Sequence, residues 1–374
     1  MQELSIDWCP INSIGVLQEF IKTYWRPDHI FAHDRDFLLW QYPLRDDAQK
    51  ISVLVAGQES SLQGMLGVIP FNFCARGQLF SGAWLSMWMV PPEQRNVGLG
   101  LQLLRRVLAE GYDVIGTLGG RDVPLRIFGA LHFDVRKSIP RWVCVISPAT
   151  LKDFLSHQKA SYPLSSLPVY TKASSPRFSL PDKSGIRLIN WDDKVIQRWN
   201  TAWLERFARR LVGTWRDAEY LRWRYVDHPL FHYVLHFAED TTTGQLVGLL
   251  VYRIETVQVH SDKVLRVVEF LCEKAAEATL AQKIVEAGEV NRVAYADFYC
   301  TSERFGAPLK SVGFELDDNL IVHLPNRFQL INPYYKPVPA AFRVEPRIAG
   351  DSFTFFNTPD LYFTRSDCDQ DRPS

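Results

Sequence analysis

Residues 88–106 read WMVPPEQRNVGLGLQLLRR, and the order of residue types in this stretch is that of an anion site. An apolar strand ends at Val90, and Pro91 and Pro92 turn the chain. Gln94-Arg95-Asn96-Val97-Gly98-Leu99-Gly100 then leads into a segment with Leu at 101, 103, 104 and 108, the spacing of an amphipathic helix. Glycines let the backbone approach a bulky anion and take conformations closed to other residues. N–H groups at the start of a helix point at such an anion, and the helix dipole adds about half a positive charge there. Arg95 can supply a charge-assisted bond to a phosphate oxygen. Pyrophosphate is the ligand that suits this strand, loop and helix. Two other nucleotide motifs are excluded: the Walker pattern is absent, and the Rossmann pattern fails because Leu103 stands where its third glycine belongs. The competing reading is a plain strand–turn–helix with a glycine turn.

The elements that must position this loop occur twice along the chain. FLLWQYP at 37–43 and YLRWRYVDHP at 220–229 each precede an apolar strand, at 51–57 and 232–240. Matching turn-and-strand segments follow at 64–71 and 244–253, which read as antiparallel hairpins. At a constant offset of 181 residues, Gly67 aligns with Gly248, the strand at 84–90 with 265–271, and the helix at 99–111 with 280–290. The strand at 114–118 then aligns with 295–299, and Phe133 with Phe314. The expected organisation is a first unit at 1–156, a Ser-, Pro- and Lys-rich linker at 157–185, a second unit at 186–330 and an extended tail at 331–374.

The spacing Q/R-x-x-G-x-G/A after a strand, met here by Gln94 or Arg95 through Gly98 and Gly100, resembles the acetyl-CoA signature of the GNAT acyltransferase superfamily. The resemblance runs on through the first half, as hairpin (51–71), central strand (84–90), pyrophosphate helix (98–110), strand (113–118), short helix (122–130) and a closing segment at 131–133. That last segment departs from the pattern, with His132 where Gly is usual. The resemblance implies an α/β fold with mixed α+β sheets, built as two tandem GNAT-like units. The second unit lacks the pyrophosphate loop. Gly98 and Gly100 correspond to Thr279 and Ala281, and its loop reads CEKAAEATL, whose two Glu would repel a pyrophosphate. One acyl-CoA per chain is therefore expected, in the first unit. By carry-over it would be held by Met89, Val90, Gln94, Arg95, Asn96, Val97, Gly98, Leu99 and Gly100. Trp88, Met89 and Val90 would lie beside the pantetheine, and Thr117, Leu118 and Gly119 on the facing strand.

The implied reaction is direct attack of an amine on the acyl-CoA thioester, which needs a group or water chain to take the amine proton. The Val90 N–H is the expected oxyanion donor. The whole-chain organisation resembles N-acyltransferases that modify nucleotide-linked amino sugars for bacterial surface polysaccharides. It rests on the tandem layout, W-R-Y-x-x-H-P at 223–229 and DCDQDRP at 367–373. The expected acceptor is thus a nucleotide-linked amino sugar, with dTDP as the expected nucleotide. A FemABX-like aminoacyl transferase and a non-catalytic CoA-binding pair are the alternatives. An intact loop and a neutral charge speak against the first.

Candidate catalytic residues are Asp122, as base or sugar ligand, and His132, as a proton shuttle near neutral pH. Asp122 reads equally as a helix N-cap and His132 as a packing residue. Tyr299, Glu303 and Arg304, in the equivalent loop of the second unit, are candidates for phosphate and sugar hydroxyls, or form a solvated turn. Trp84 and Trp88 alternate on one strand and are expected on one face, for packing or for substrate stacking. Trp223, Arg224 and Tyr225 read as a structural anchor, since Trp40 and Tyr42 recur in the first unit. Asp367, Asp369 and Asp371 alternate but lack the glycine and terminal Glu of a calcium loop, and are expected in a solvated tail.

The bulk numbers agree with this picture. The chain has 374 residues, zero formal net charge, 13% aromatic residues and 11 Trp. No charge excess suggests a nucleic-acid or anionic-membrane partner. Six scattered cysteines form no C-x-x-C pair, so no metal is expected. No signal peptide or apolar span is read, and a cytoplasmic protein with reduced thiols is expected. A homodimer is compatible with all of this.

Overall fold

The computed structural model describes residues 5–44, 46–58, 61–120, 122–157, 185–257, 262–320, 323–326, 337–349 and 351–372. The linker expected at 157–185 lies outside them except at its two ends.

The first half runs β1 (Ile6–Pro10), α1 (Ile14–Tyr24), α2 (Arg35–Gln41), β2 (Lys50–Gln58), β3 (Ser61–Ala75), β4 (Gln78–Met89), α3 (Leu99–Leu108), β5 (Val114–Leu118), α4 (Asp122–Ala130), β6 (Asp134–Arg136), β7 (Arg141–Val145) and α5 (Pro148–His157). The second half repeats the order as β8 (Ile186–Asn190), α6 (Asp193–Ala202), β9 (Val212–Thr214), α7 (Ala218–Leu221), β10 (Val234–Asp240), β11 (Leu246–Thr256), β12 (Lys263–Cys272), α8 (Glu277–Asn291), β13 (Tyr295–Tyr299), α9 (Gly306–Ser311) and β14 (Glu315–Leu316). The chain closes with β15 (Ala340–Val344), α10 (Ser352–Phe356) and β16 (Leu361–Tyr362). Helix starts are fixed locally: Asp34, Asp192 and Asp351 each accept from a backbone N–H of the first turn, at 2.7–2.8 Å.

Two mixed sheets result, β1-β2-β3-β4-β5-β15-β6 and β14-β7-β13-β12-β11-β10-β8, with β9 and β16 added at the end of β3. Strands are exchanged between them. β7, coded in the first half, lies antiparallel between β13 and β14, while β15, coded near the C-terminus, lies antiparallel between β5 and β6. Each sheet covers a strand edge with a strand from the other half. In the first sheet α1 and α2 pack on one face, with Phe20, Phe37, Tyr42 and Trp84. α3 and α4 pack on the other, with Leu66, Leu85, Leu103 and Phe128. The halves also meet through their duplicated aromatic segments. Trp40 stacks on Trp223 with ring centroids 5.1 Å apart, and the Arg224 guanidinium lies 5.9 Å from the Trp40 ring. Trp223 and Arg224 thus act as the expected anchor.

Three expectations need correction. The offset of 181 residues holds for β5 and β13 but slips in the neighbouring strands. Trp84 pairs with Gly116 and Arg266 with Asp297, so Trp84 corresponds to Arg266. A Cβ on Gly64 would meet Leu103 and Leu99 of α3, and one on Gly248 would meet Leu280 of α8, so Gly64 is the counterpart of Gly248. Secondly, Trp84 and Trp88 lie on opposite faces. A register shift between β3 and β4, with Met87 at φ +48°, inserts one residue and reverses the alternation beyond it. Trp84 stacks on Phe71 among the α1/α2 side chains, while Trp88 lies against Phe128 of α4.

Thirdly, the C-terminal stretch is not a solvated tail: Asp367, Asp369 and Asp371 are at most 5% exposed. Each meets arginine. Asp367 bonds Arg216 at 2.6 Å, Asp371 bonds Arg253 at 2.7 Å, and Asp369 lies 3.4 Å from Arg372. Burial works to raise the Asp371 pKa, but Arg253, Arg365 and Arg224 hold it far below the usual carboxylate range.

His29 and His228 are also buried. Burial, aided by Arg372 and Arg26 around His29 and by Arg224 and Arg253 around His228 against Asp371, drives their pKa values to about 2 and about 3. An unfolded histidine titrates at ~6.5, so below that pH the unfolded chain takes up protons that the folded chain refuses. Stability is expected to fall by about 2–3 kcal/mol between pH 7 and 5.5, measurable by urea unfolding across that range. A flat profile there would rule out two buried neutral histidines.

Candidate active site

β4 and β5 run parallel and pair from Gly82 with Val114 to Trp84 with Gly116, and then they part. The last link is a side chain: the Thr117 hydroxyl donates to the Leu85 carbonyl at 2.9 Å. Beyond it the strands splay around the bulge at Met87. The resulting wedge has residues 85–90 on one side and 117–119 on the other.

The loop expected to hold pyrophosphate closes the outer end of this wedge. Residues Pro92–Val97 form a single 3₁₀ stretch, and Gly98 takes φ +77° to open α3. A Cβ on Gly98 would have no heavy atom within 4 Å, so the loop is open to solvent at that point. The first backbone bond of α3 runs from the Gln102 N–H to the Gly98 carbonyl at 3.1 Å. The N–H groups of Leu99, Gly100 and Leu101 therefore point out of the helix start. Arg95 is exposed and folds back so that its Nε donates to the Val90 carbonyl at 3.1 Å, tying the loop to the end of β4. Gly100 lies under the Trp88 indole, 3.4 Å from where its Cβ would stand. Met89, Val90, Gln94, Arg95, Gly98, Leu99 and Gly100 are thus gathered at one end of the wedge, with the exposed Val97 beside them. The Asn96 side chain is outside the described residues.

The second unit has the same splay, because β12 and β13 pair only from Leu265 with Ala296 to Val267 with Phe298. This wedge is filled. The Tyr362 hydroxyl accepts from the Phe270 N–H at 3.0 Å and donates to Glu269 at 2.8 Å. At the mouth, Glu273 of the degenerate loop pairs with Arg206 at 2.9 Å. Calorimetric titration is expected to give one acyl-CoA per chain. Tyr362→Phe is expected to cost about 1–3 kcal/mol of stability, by stranding a buried N–H and a carboxylate oxygen, without adding a second site. Two equivalents bound by the natural chain would contradict this.

The other expected residues are scattered. Asp122 is exposed at the first turn of α4, on the wedge side. His132 is not near it. It is exposed in the turn after α4, at φ +61°, filling the left-handed position where glycine is usual. β6 and β15 place that turn level with the start of β5, at the end opposite the splay. Tyr299 is buried between the halves, where its hydroxyl accepts from Asn326 at 2.8 Å and the Arg365 guanidinium lies 5.5 Å from its ring. Glu303 and Arg304 are exposed on the second unit and away from Tyr299, with Arg304 facing Cys272 and Glu277 at the degenerate loop. Trp84 is core.

The structure adds residues that spacing did not single out. On the α1/α2 face of the bulge, the Tyr42 hydroxyl and Ser86 Oγ lie 2.9 Å apart. Burial, then Asp369, raises the Tyr42 pKa. The C-terminal segment lies across the splay itself. Gln370 Nε2 donates to the Leu118 carbonyl at 2.8 Å, and Cys368 Sγ lies 3.6 Å from the Leu85 carbonyl. The DCDQDRP motif was visible in the sequence, but nothing local to it says where it folds back.

Comparison with known proteins agrees with this geometry. A family model described as "Acetyltransferase (GNAT) domain" matches residues 31–114. Among solved structures the chain is similar to a GCN5-related N-acetyltransferase from Anabaena variabilis ATCC 29413. That match has a TM-score of 0.57 at 10% identity and covers 91% of this chain and 73% of the other. It is also similar to a conserved protein of unknown function from Enterococcus faecalis V583, described as a probable N-acyltransferase. The TM-score there is 0.54 at 12% identity, covering 95% of this chain and 74% of the other. At these identities the likeness is one of fold. No curated protein matches the chain. Among the described residues, no helix is long and apolar enough to cross a membrane.

Proposed function

We propose that the chain is an N-acyltransferase that moves an acyl group from acyl-CoA to the amine of a nucleotide-linked amino sugar. The coarse activity rests on a GNAT acetyltransferase domain at 31–114, an acyl-transferring domain that uses acyl-CoA. The observation that carries the reading is the asymmetry of the two wedges: one ends in an open glycine loop at a helix N-terminus, and the other is filled by Tyr362. The pyrophosphate is assigned to the N–H groups around Gly98–Leu101, with Arg95 as its charged partner, and the pantetheine to the edge of residues 88–90.

The oxyanion donor moves from Val90 to Trp88. Across the bulge Trp88 corresponds to Phe270, whose N–H already holds a phenol oxygen in the second unit. The amino-sugar acceptor is supported by the tandem layout. Asp122 is retained as a sugar ligand on the wedge side, and the remote His132 is not assigned a role. The test is turnover of acetyl-CoA and longer acyl-CoAs with a panel of nucleotide-linked and free amino sugars, following thiol release. Acyl-CoA binding with no thiol release from any amine would leave the non-catalytic pair as the correct reading.

A further inference from the structure

The C-terminal segment carries one carboxylate, Asp369, whose partners among the described residues all come from that segment itself. Asp367 and Asp371 each meet an arginine from the second half at 2.6–2.7 Å. Asp369 faces the first half instead. Its Oδ1 is approached by its own neighbours, Gln370 Nε2 at 3.2 Å and Cys368 Sγ at 3.6 Å. Among the described residues its Oδ2 has only Arg372, an ion-pair contact at 3.4 Å that is longer than a normal hydrogen bond. The two neighbours fix its position, since Gln370 bonds the Leu118 carbonyl on β5 and Cys368 approaches the Leu85 carbonyl on β4. Asp369 therefore stands over the point where the strands part. The charged and titratable groups around it are Arg372 and Cys368 from its own segment, Tyr42 from the end of α2, and His29, which is 3.0 Å from Arg372.

Two strained residues meet here. Met87 on the bulge and Cys368 beside Asp369 both take left-handed backbone, at φ +48° and +58°. Such strain persists where the surroundings over-determine it. Arg372 Nη1 lies 3.7 Å from Met87 Sδ, so the two strained segments are in contact.

Resting on the acyltransferase reading above, we propose that Asp369 is the catalytic base that deprotonates the acceptor amine. The acceptor ammonium gives one proton to the Asp369 carboxylate and becomes a neutral amine. Its lone pair forms the C–N bond at the thioester carbonyl, and the C–S bond breaks with its electron pair leaving on sulfur. A second proton from the attacking nitrogen neutralises the CoA thiolate, and the proton held by Asp369 passes to solvent. The balance is acyl-CoA plus ammonium giving amide, CoA thiol and one proton. Arg372 acts as a positioning residue that orients the carboxylate.

The test uses the full chain. In Asp369→Asn, kcat/KM is expected to fall by about 100-fold or more, the usual contribution of a positioned base. Acetyl-CoA stabilisation in a thermal shift assay should be unchanged, and the acid limb of the pH profile should disappear. Retained turnover with an unaltered acid limb overturns the proposal. Should Asp369→Asn fail to fold, Arg372→Met decides, because it keeps the carboxylate but removes the cation beside it. Loss of its positioning partner is then expected to lower kcat while KM for acyl-CoA stays the same, and an unchanged kcat overturns the proposal. A natural chain that turns over no amine at all defeats the acyltransferase reading itself, which is a separate outcome.

Discussion

Gly98→Asp is expected to abolish acyl-CoA binding while leaving the chain folded. The backbone at Gly98 is left-handed, at φ +77°, a conformation that Asp tolerates better than most residues, and the new Cβ meets no heavy atom within 4 Å. The folding cost is therefore about 1 kcal/mol. Binding is a different matter. A carboxylate placed ~5 Å from a phosphate repels it by about 3 kcal/mol at an effective dielectric of ~20, which is on the order of a 100-fold loss from one phosphate alone. The substitution also sets a negative charge at the positive end of a helix dipole, where it would compete with the ligand for the same N–H groups. Gly98→Ala is the control, with the backbone strain but not the charge. Titration calorimetry with acetyl-CoA should show heat for the natural chain and for Gly98→Ala, and none for Gly98→Asp. Normal affinity in Gly98→Asp would mean that the pyrophosphate lies elsewhere.

The second large effect is expected at Arg216→Ala. Arg216 is fully buried and joins two carboxylates, Glu269 and Asp367, at 2.6 Å each. Its Nη1 donates to the Thr214 carbonyl at 2.9 Å, and its guanidinium lies 4.8 Å from the Tyr362 ring. Truncation leaves two like charges in the interior without their cation, a loss of about 3–5 kcal/mol. The melting temperature should fall by about 4–6 °C. Arg216→Lys keeps the charge but not the fork of donors and should fall between. A change under about 1 kcal/mol in Arg216→Ala would mean that the pair contributes nothing net.

The loop could be read from sequence because its requirements are local. Two glycines, a basic residue and a helix start must be adjacent to do their work, and the absence of glycine from the stretch CEKAAEATL is equally local. The duplicated order of elements was legible for the same reason. The faces of Trp84 and Trp88 were not, since one inserted residue at the bulge reverses the alternation and no residue type marks the insertion. The Asp-rich C-terminal stretch misled through its composition. Three alternating carboxylates read as solvated, but the arginines that bury two of them lie 118 and 151 residues away, at Arg253 and Arg216. The exchange of β7 and β15 was invisible as well, because an apolar strand carries no address for its partner.

That exchange has a consequence for how the chain is made. Synthesis proceeds from the N-terminus, and domains that emerge first generally fold first. Here the half that emerges first cannot close. The slot between β5 and β6 waits for Ala340–Val344, which is synthesised more than two hundred residues after Leu118. Until then an apolar strand edge stays open on the ribosome, a template for mispairing with a second nascent chain. The half that emerges later has its borrowed strand, β7, ready beforehand. The natural folding unit is therefore the whole chain, and the loop, although complete by residue 100, gains its finished sheet among the last events of folding.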